Sequence, residues 1–286
     1  MIKYRLHLMR KFHLPFVKMM VTQFCNLSCL GCSNYADLKH TGYVRWEDGR
    51  REIESWLPRM SIEDFGIMGG EPLINPELKQ WIRGLRELLP TSPIRFSTNG
   101  ELLDKHLDVL ETAHEVGNFV FKITVHQHSE RVENVIAKIF SMYKWEPVYE
   151  FGIYRYKTTN GLRFQVNRPL TFIKYYKNDY PNMMPFASNP ADSFEICMQQ
   201  KCPLMFNGRM YKCSTMGGLE QTLDRFGNTD PAWDPYKGKY ITPTSSDSDI
   251  EVFLNNYGKP HQVCTMCPTA KDAESVILHY NNITTK

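Results

Sequence analysis

Three cysteines fall within eight residues of one another, Cys25-Asn26-Leu27-Ser28-Cys29-Leu30-Gly31-Cys32, spaced C-x3-C-x2-C. Three thiolates this close can ligate three corners of a cubic iron–sulfur cluster and leave the fourth iron without a protein ligand. An iron with an open position can hold a substrate or cofactor, so the spacing points to chemistry more than to scaffolding. A structural zinc site is the plainer alternative, but it usually needs a fourth Cys or His close by, and none lies near here. Five further cysteines follow in the second half: Cys197, Cys202, Cys213, Cys264 and Cys267. Between them Asn207-Gly208 is a type I′ hairpin signal. Counting outward from that turn pairs Phe206 with Arg209 and sets Cys202 opposite Cys213, with Cβ atoms about 4.5–5.5 Å apart. That suits two ligands of one cluster or metal, and Cys264 with Cys267 would complete the set; zinc is an alternative here, since four thiolates satisfy it.

The elements that must position these thiols follow a strand–helix rhythm from Pro15 to about Tyr156. Apolar runs at Phe16–Val21, Asp64–Met68, Ile94–Ser97 and Phe119–Val125 read as strands. Helical patterns fall at Glu52–Leu57, from Pro76 to Leu89, at Leu103–Val116 and at Val132–Tyr143. In the second of these Leu78, Trp81, Ile82, Leu85 and Leu89 form one apolar stripe. Such alternation implies an α/β fold, a parallel sheet with right-handed crossovers, whose active site lies at the C-terminal ends of the strands. Every notable motif falls there: the first cysteines after strand one, Gly69-Gly70-Glu71-Pro72 after strand two, Ser97-Thr98-Asn99-Gly100 after strand three, and His126 and His128 after strand four. Glycines at 69 and 70 remove side chains where backbone must approach closely. His126 and His128 project to one face of an extended segment and are candidate acid–base groups, with solvated surface as the alternative.

At 286 residues the chain suits one large domain, or a main domain with a small appendage. A net charge of +3 does not demand a polyanionic partner. No run of 18 apolar residues predicts a membrane span, and Pro15 and Lys18 interrupt any signal-peptide core, so a reducing cytoplasmic setting and metal ligation are expected for the eight cysteines. Residues 146–180 interleave nine aromatics, among them Tyr149, Tyr154, Tyr156, Phe164 and Tyr176, with Arg155, Arg168, Lys174 and other cations. That mixture can stack bases and neutralise phosphate; the plainer account is the last barrel strands plus a hairpin around Asn160-Gly161.

The C-x3-C-x2-C loop with Met68-Gly69-Gly70-Glu71-Pro72 about 40 residues further on resembles the radical S-adenosylmethionine (SAM) superfamily. The resemblance implies a partial (β/α)6 TIM-type barrel over residues 1–180, its last strands uncertain. It implies a [4Fe-4S] cluster on Cys25, Cys29 and Cys32 that reduces SAM to methionine and a 5′-deoxyadenosyl radical. Gly69, Gly70 and Glu71 would bind the SAM amino group, and Ser97, Thr98 and Asn99 resemble third-strand contacts to its ribose and carboxylate. Family members often carry an aromatic residue just before the third cysteine, against adenine; here that residue is Gly31, with Tyr35 as the substitute. The second half, residues 190–286, resembles a twitch domain, a small cysteine-rich β-hairpin and helix appendage holding one auxiliary cluster. The family spacing selects Cys197 as its first ligand, whereas hairpin geometry selects Cys202. The thiol left over is a buried bystander or, as in radical SAM epimerases, a hydrogen donor, a role open to Cys197.

The resemblance implies an enzyme that abstracts hydrogen from a C–H bond of a small polar substrate, with oxidation through the auxiliary cluster, as in the aminocyclitol dehydrogenase branch. A redox-neutral isomerase or epimerase acting on a nucleotide, or on hypermodified thymidine in phage DNA, is the alternative. Either needs a reducing partner such as flavodoxin or ferredoxin. A peptide substrate fits less well, because only about 15 residues precede strand one. A non-enzymatic, metal-stabilised binding protein would cleave no SAM.

Overall fold

A computed structural model describes residues 11–29, 31–126, 129–150, 153–169, 171–272 and 277–279. In chain order its elements are β1 (Phe12–Leu14), β2 (Val17–Thr22), α1 (Trp46–Trp56), β3 (Met60–Ile62), β4 (Phe65–Gly69), α2 (Leu78–Leu88), β5 (Ile94–Thr98), α3 (Leu107–Val116), β6 (Phe119–Thr124) and α4 (Glu130–Met142). There follow β7 (Glu146–Glu150), β8 (Ile153–Lys157), β9 (Leu162–Asn167), β10 (Thr171–Ile173), α5 (Pro190–Glu195), β11 (Leu204–Phe206), β12 (Arg209–Tyr211), α6 (Ser214–Phe226), β13 (Tyr240–Ile241), α7 (Asp247–Asn255) and β14 (Ile277–His279).

Strands β2, β4, β5, β6 and β9 lie side by side and parallel, as the alternation predicts. Outside β9 in the sheet lies the antiparallel β7–β8 hairpin that precedes it in the chain. Beyond β2, the cysteine-rich half adds β11 in parallel, then β12 and β13 antiparallel. Among the described residues no ladder joins the outer strands β7 and β13, so the barrel is partial and open. The Asn207-Gly208 turn has both residues at positive φ, as a type I′ turn demands, and the register Phe206↔Arg209 is the expected one.

Strand alternation sorts the two faces. Val17, Met19 and Val21 on β2, Phe65 and Ile67 on β4, Ile94 and Phe96 on β5, and Phe119, Phe121 and Ile123 on β6 pack against α1–α4 in one continuous core. The intervening residues face the concave side. Helix α2 buries the apolar stripe expected of it. Helix α1 starts at Trp46, earlier than the apolar pattern predicts. The Glu77 carboxylate accepts the Trp46 N–H at 2.6 Å, and two glycines let α1 and α2 cross closely. Gly49 receives the Trp81 ring and Gly84 the Trp46 ring, and the two indoles meet edge to face at 5.2 Å.

The aromatic–basic stretch is spent on this fold. Phe164 is core, Tyr176 is buried, and Arg168 chelates Glu133. Arg155 is 3% exposed, Lys174 pairs with Asp179, and Lys177 donates to the Phe186 carbonyl at 3.1 Å. Tyr149 and Tyr156 stay exposed. The plainer account of residues 146–180, barrel strands and a hairpin turned at Gly161, is the one observed. No helix among the described residues is long and apolar enough to cross a membrane.

Candidate functional site

The three cysteines occupy the loop leaving the C-terminal end of β2. The Cys25 thiol is buried and accepts the Leu27 N–H at 3.4 Å. Two tight turns, Cys32 N–H to the Cys29 carbonyl and Tyr35 N–H to the Cys32 carbonyl, wind the rest of the loop. Lys39 closes it by donating to the carbonyls of Cys25 and Leu27, each at 2.7 Å. Burial, as the largest cause, pushes the Cys25 and Cys29 thiols up to about 12 and raises Cys32 as well. Such thiols keep their protons until a metal displaces them. Backbone N–H groups of Leu27 at Cys25, and of Asn34 and Ala36 at Cys32, oppose the shift and are aimed where thiolate charge would sit. Among the described residues no three His, Cys, Asp or Glu side chains crowd closely enough to share a single metal ion. A cubic cluster spreads its thiolates over separate irons, and a buried and two partly buried thiols on one loop, with N–H groups turned to Cys25 and Cys32, fit that group.

The Gly69-Gly70-Glu71 stretch is sewn to this loop. Gly70 N–H donates to the Thr22 carbonyl and Glu71 N–H to the Phe24 carbonyl, both at 2.9 Å, extending the β2–β4 pairing past the sheet. Asn34 Nδ2 donates to the Gly69 carbonyl at 3.0 Å. The close approach that glycine permits is therefore first to the chain's own backbone: a Cβ on Gly69 would strike the Thr22 carbonyl, and one on Gly70 the Phe24 carbonyl. Gly70→Ala is expected to cost about 1–3 kcal/mol by overpacking and to impair iron uptake at Cys25, Cys29 and Cys32. Urea unfolding with iron counting checks it, and an unchanged midpoint and iron content would mean that the seam does not hold the loop.

Glu71 is fully buried. Its Oε1 accepts from Leu73 N–H at 3.0 Å and from the Thr98 hydroxyl at 2.8 Å, and its Oε2 accepts Asn99 N–H at 2.8 Å. Burial raises its carboxyl to about 7, against the pull of those three donors. The side chain thus ties the end of β4 to the end of β5. Asn99 continues the tie to the cysteine loop, donating to Asn26 Oδ1 at 2.9 Å and approaching Cys25 Sγ at 3.7 Å. Thr98 and Asn99 are thereby brought beside the first cysteine, while Ser97 lies one residue back along β5, on the concave face.

Tyr35 needs correcting as an adenine-stacking residue. It is 1% exposed, its ring stacks on Tyr176 at 6.3 Å and presses on Gly218, so it belongs to the core. Gly31 has φ +74 and packs on the Lys174 backbone, a place and conformation that an aromatic residue would strain. His126 follows β6; burial lowers it to about 4, so at neutral pH it is an uncharged imidazole and not an acid. His128 lies outside the described residues. Lys39 and Asn34 escaped the sequence reading, since a polar residue after a cysteine motif carries no signal of the carbonyl it will bind.

The second cysteine group is assembled by segments far apart in sequence. Ser188 N–H and Phe186 N–H donate to the Thr265 and Met266 carbonyls, and the Ser188 and Ser193 hydroxyls donate to the Cys267 carbonyl. This fastens the α5 region, and Cys197 after it, to the turn carrying Cys264 and Cys267. Cys213 stands at the N-terminus of α6. After burial, the largest cause, the charges that raise Cys267 are Cys213, Cys197 and Cys264, and Cys213, Cys264 and Cys202 raise Cys197 in turn. The Tyr175 phenol, buried, feels Cys197, Cys267 and Cys213. Cys202 lies apart. The hairpin ladder ends at Leu204↔Tyr211, and on the other edge of β11, which pairs with β2, Lys18 N–H donates to the Pro203 carbonyl at 3.0 Å. Cys202 then acts chiefly on Lys18, Lys122 and Tyr257, on the concave side.

Residues 19–151 match the family model of the radical SAM superfamily. They are a radical SAM domain. Curated relatives include the GTP 3′,8-cyclase of Microcystis aeruginosa, 30% identical over 106 residues, 35% of this chain and 32% of that protein. The GTP 3′,8-cyclase of Petrotoga mobilis is 28% identical over 103 residues, again 35% and 32%. The alignments thus span about a third of these relatives' length. Among solved structures, BtrN in complex with AdoMet and 2-DOIA aligns over 93% of this chain and 98% of that one, at 14% identity and a TM-score of 0.47. Streptococcus suis SuiB bound to precursor peptide SuiA aligns over 83% and 69%, at 12% identity and a TM-score of 0.37.

Proposed function

We propose that this chain is a radical SAM enzyme that removes a hydrogen atom from a C–H bond of a small polar substrate held on the concave face of the sheet. The observation that carries the reading is the seam joining the three-cysteine loop to Gly69-Gly70-Glu71 through the Thr22, Phe24 and Gly69 carbonyls. Cys25, Cys29 and Cys32 would hold a [4Fe-4S] cluster, and Cys197, Cys213, Cys264 and Cys267 an auxiliary one. When bound, the first with SAM supplies a 5′-deoxyadenosyl radical and the second an electron acceptor that makes the outcome an oxidation. The chain's own part is positioning. Glu71 and Asn99 fix the β4 and β5 ends beside Cys25, and the partly buried loop shields the thiols from water. A reductant such as flavodoxin or ferredoxin would serve it. The test is anaerobic reconstitution and reduction with SAM: 5′-deoxyadenosine supports the reading, and its absence from fully iron-loaded protein, with candidate substrates present, overturns it.

The concave-side position of Cys202 favours a second reading, redox-neutral isomerisation, in which its thiol returns a hydrogen atom to the substrate radical and the thiyl radical left behind is restored by an electron from the reductant and a proton from water; a nucleotide substrate would accord with the cyclases' name. In deuterium oxide this reading places deuterium in the product, whereas oxidation places none.

A further inference from the structure

The concave face carries an unbalanced charge. Strand alternation that sends Val17, Met19, Phe121 and Ile123 to the helix-packed core sends Lys18 and Lys122 to the other side, joined there by Arg95 of β5 and Arg155 of β8. Arg95 is answered: Asp64 takes its Nε at 2.8 and 2.7 Å and its Nη2 as well. Arg155 donates its Nε to Gln165 Oε1 at 3.2 Å. The two lysines are not answered in kind. Lys18 is 8% exposed, and its ammonium reaches the Gln199 amide oxygen at 3.4 Å. Lys122 lies between Ser97 and Gln165 in register and makes no hydrogen bond or ion pair with any described residue. Burial does most to lower its pKa; of the charges around it Cys202 acts the other way, and Lys18, Arg95 and Arg155 add to the lowering. Buried cations are ordinarily paired, because desolvation is otherwise uncompensated. Among the described residues Asp64 answers Arg95, and no carboxylate pairs with Lys18 or Lys122; the acidic group acting on both is the Cys202 thiol.

We propose that this face binds a doubly negative group of the substrate, a phosphate monoester or a pair of carboxylates, with Lys122 and Lys18 as its charge contacts. The proposal rests on the reading above only in taking the concave face as the substrate site. Two lysines fit a dianion better than a single carboxylate. The competing account is that the lysines offset thiolate charge, since Lys18 also faces Cys202, Cys213, Cys197 and Cys32, and Lys122 faces Cys202.

Titration calorimetry on the reconstituted protein with inorganic phosphate, succinate and neutral glycerol separates these. Phosphate or succinate is expected to bind once per chain and glycerol not at all, with the better anion showing which group is used. Lys122→Met should weaken that binding roughly ten- to a hundredfold, the loss expected for one hydrogen bond to a charged group, with iron content equal to wild type. Lys122→Arg should restore most of it, which separates lost charge from misfolding. Equal anion affinity in wild type and Lys122→Met, no binding of either anion, or iron lost with anion binding intact would each overturn the proposal. Lys122-dependent binding in a protein that makes no 5′-deoxyadenosine would leave it standing while the radical reading fell.

Discussion

In a Cys29→Ala variant, formation of 5′-deoxyadenosine from SAM falls by at least about a thousandfold, a loss of roughly 4 kcal/mol of barrier lowering, and iron drops from about eight to about four per chain. The expectation follows from the construction of the loop. Cys25 and Cys32 are each held by backbone N–H groups, and Lys39 holds the loop through its carbonyls. Removing the central thiol therefore leaves the loop folded and takes away one of three ligands. Two thiols pushed upward by burial do not retain a cluster that needed three to offset their deprotonation. Circular dichroism should be unchanged, because Cys29 packs only at the margin of a small cluster around Cys25, Leu27 and Ala36. Deoxyadenosine at the wild-type rate in this variant would place the chemistry elsewhere.

The strands and the placement of motifs at their ends were legible because both follow from local pattern. Apolar runs such as Phe119–Thr124 can be little else, and a parallel sheet fixes which end of each strand faces the site. What stayed hidden depends on contacts distant in sequence. Glu71 reads as a ligand-binding acid, but whether its carboxylate points at a ligand or at Leu73, Thr98 and Asn99 is decided by how β4 and β5 lie side by side. Tyr35 reads as a spare aromatic next to the motif; Gly218, from the other half of the chain, determines that it is core. One signal was present and unused. Lys122 interrupts an otherwise apolar strand, and a lone lysine there must either face water or line a lumen. Lys18 on β2 carried the same message.

Hairpin counting and family spacing chose different cysteines for the auxiliary site, and the two choices have opposite consequences. Cys197→Ser is expected to lose the auxiliary metal, with iron falling from about eight to about four per chain, while Cys202→Ser keeps it. Hairpin counting assumed that the ladder from Asn207-Gly208 continues to Cys202. It stops at Leu204↔Tyr211, short of Cys202 and Cys213, while the other edge of β11 pairs with β2. Cys197 is placed differently. The hydroxyls of Ser188 and Ser193 fasten its segment to the Cys267 carbonyl, and Gln199 N–H donates to its sulfur at 3.2 Å. Burial pushes the Cys197 thiol up to about 12, with Cys213 the largest neighbouring charge. A thiol in that position gains most from a metal that removes its proton, whereas Cys202 gains its positive surroundings from Lys18 and Lys122. Among the described residues no three His, Cys, Asp or Glu side chains crowd closely enough to share one zinc ion, so the loss is read as iron. Metal lost from Cys202→Ser and kept in Cys197→Ser would reverse the assignment. It would also leave Cys197 as the thiol free to reach a substrate, and Cys202 would no longer be available to return a hydrogen atom on the concave face.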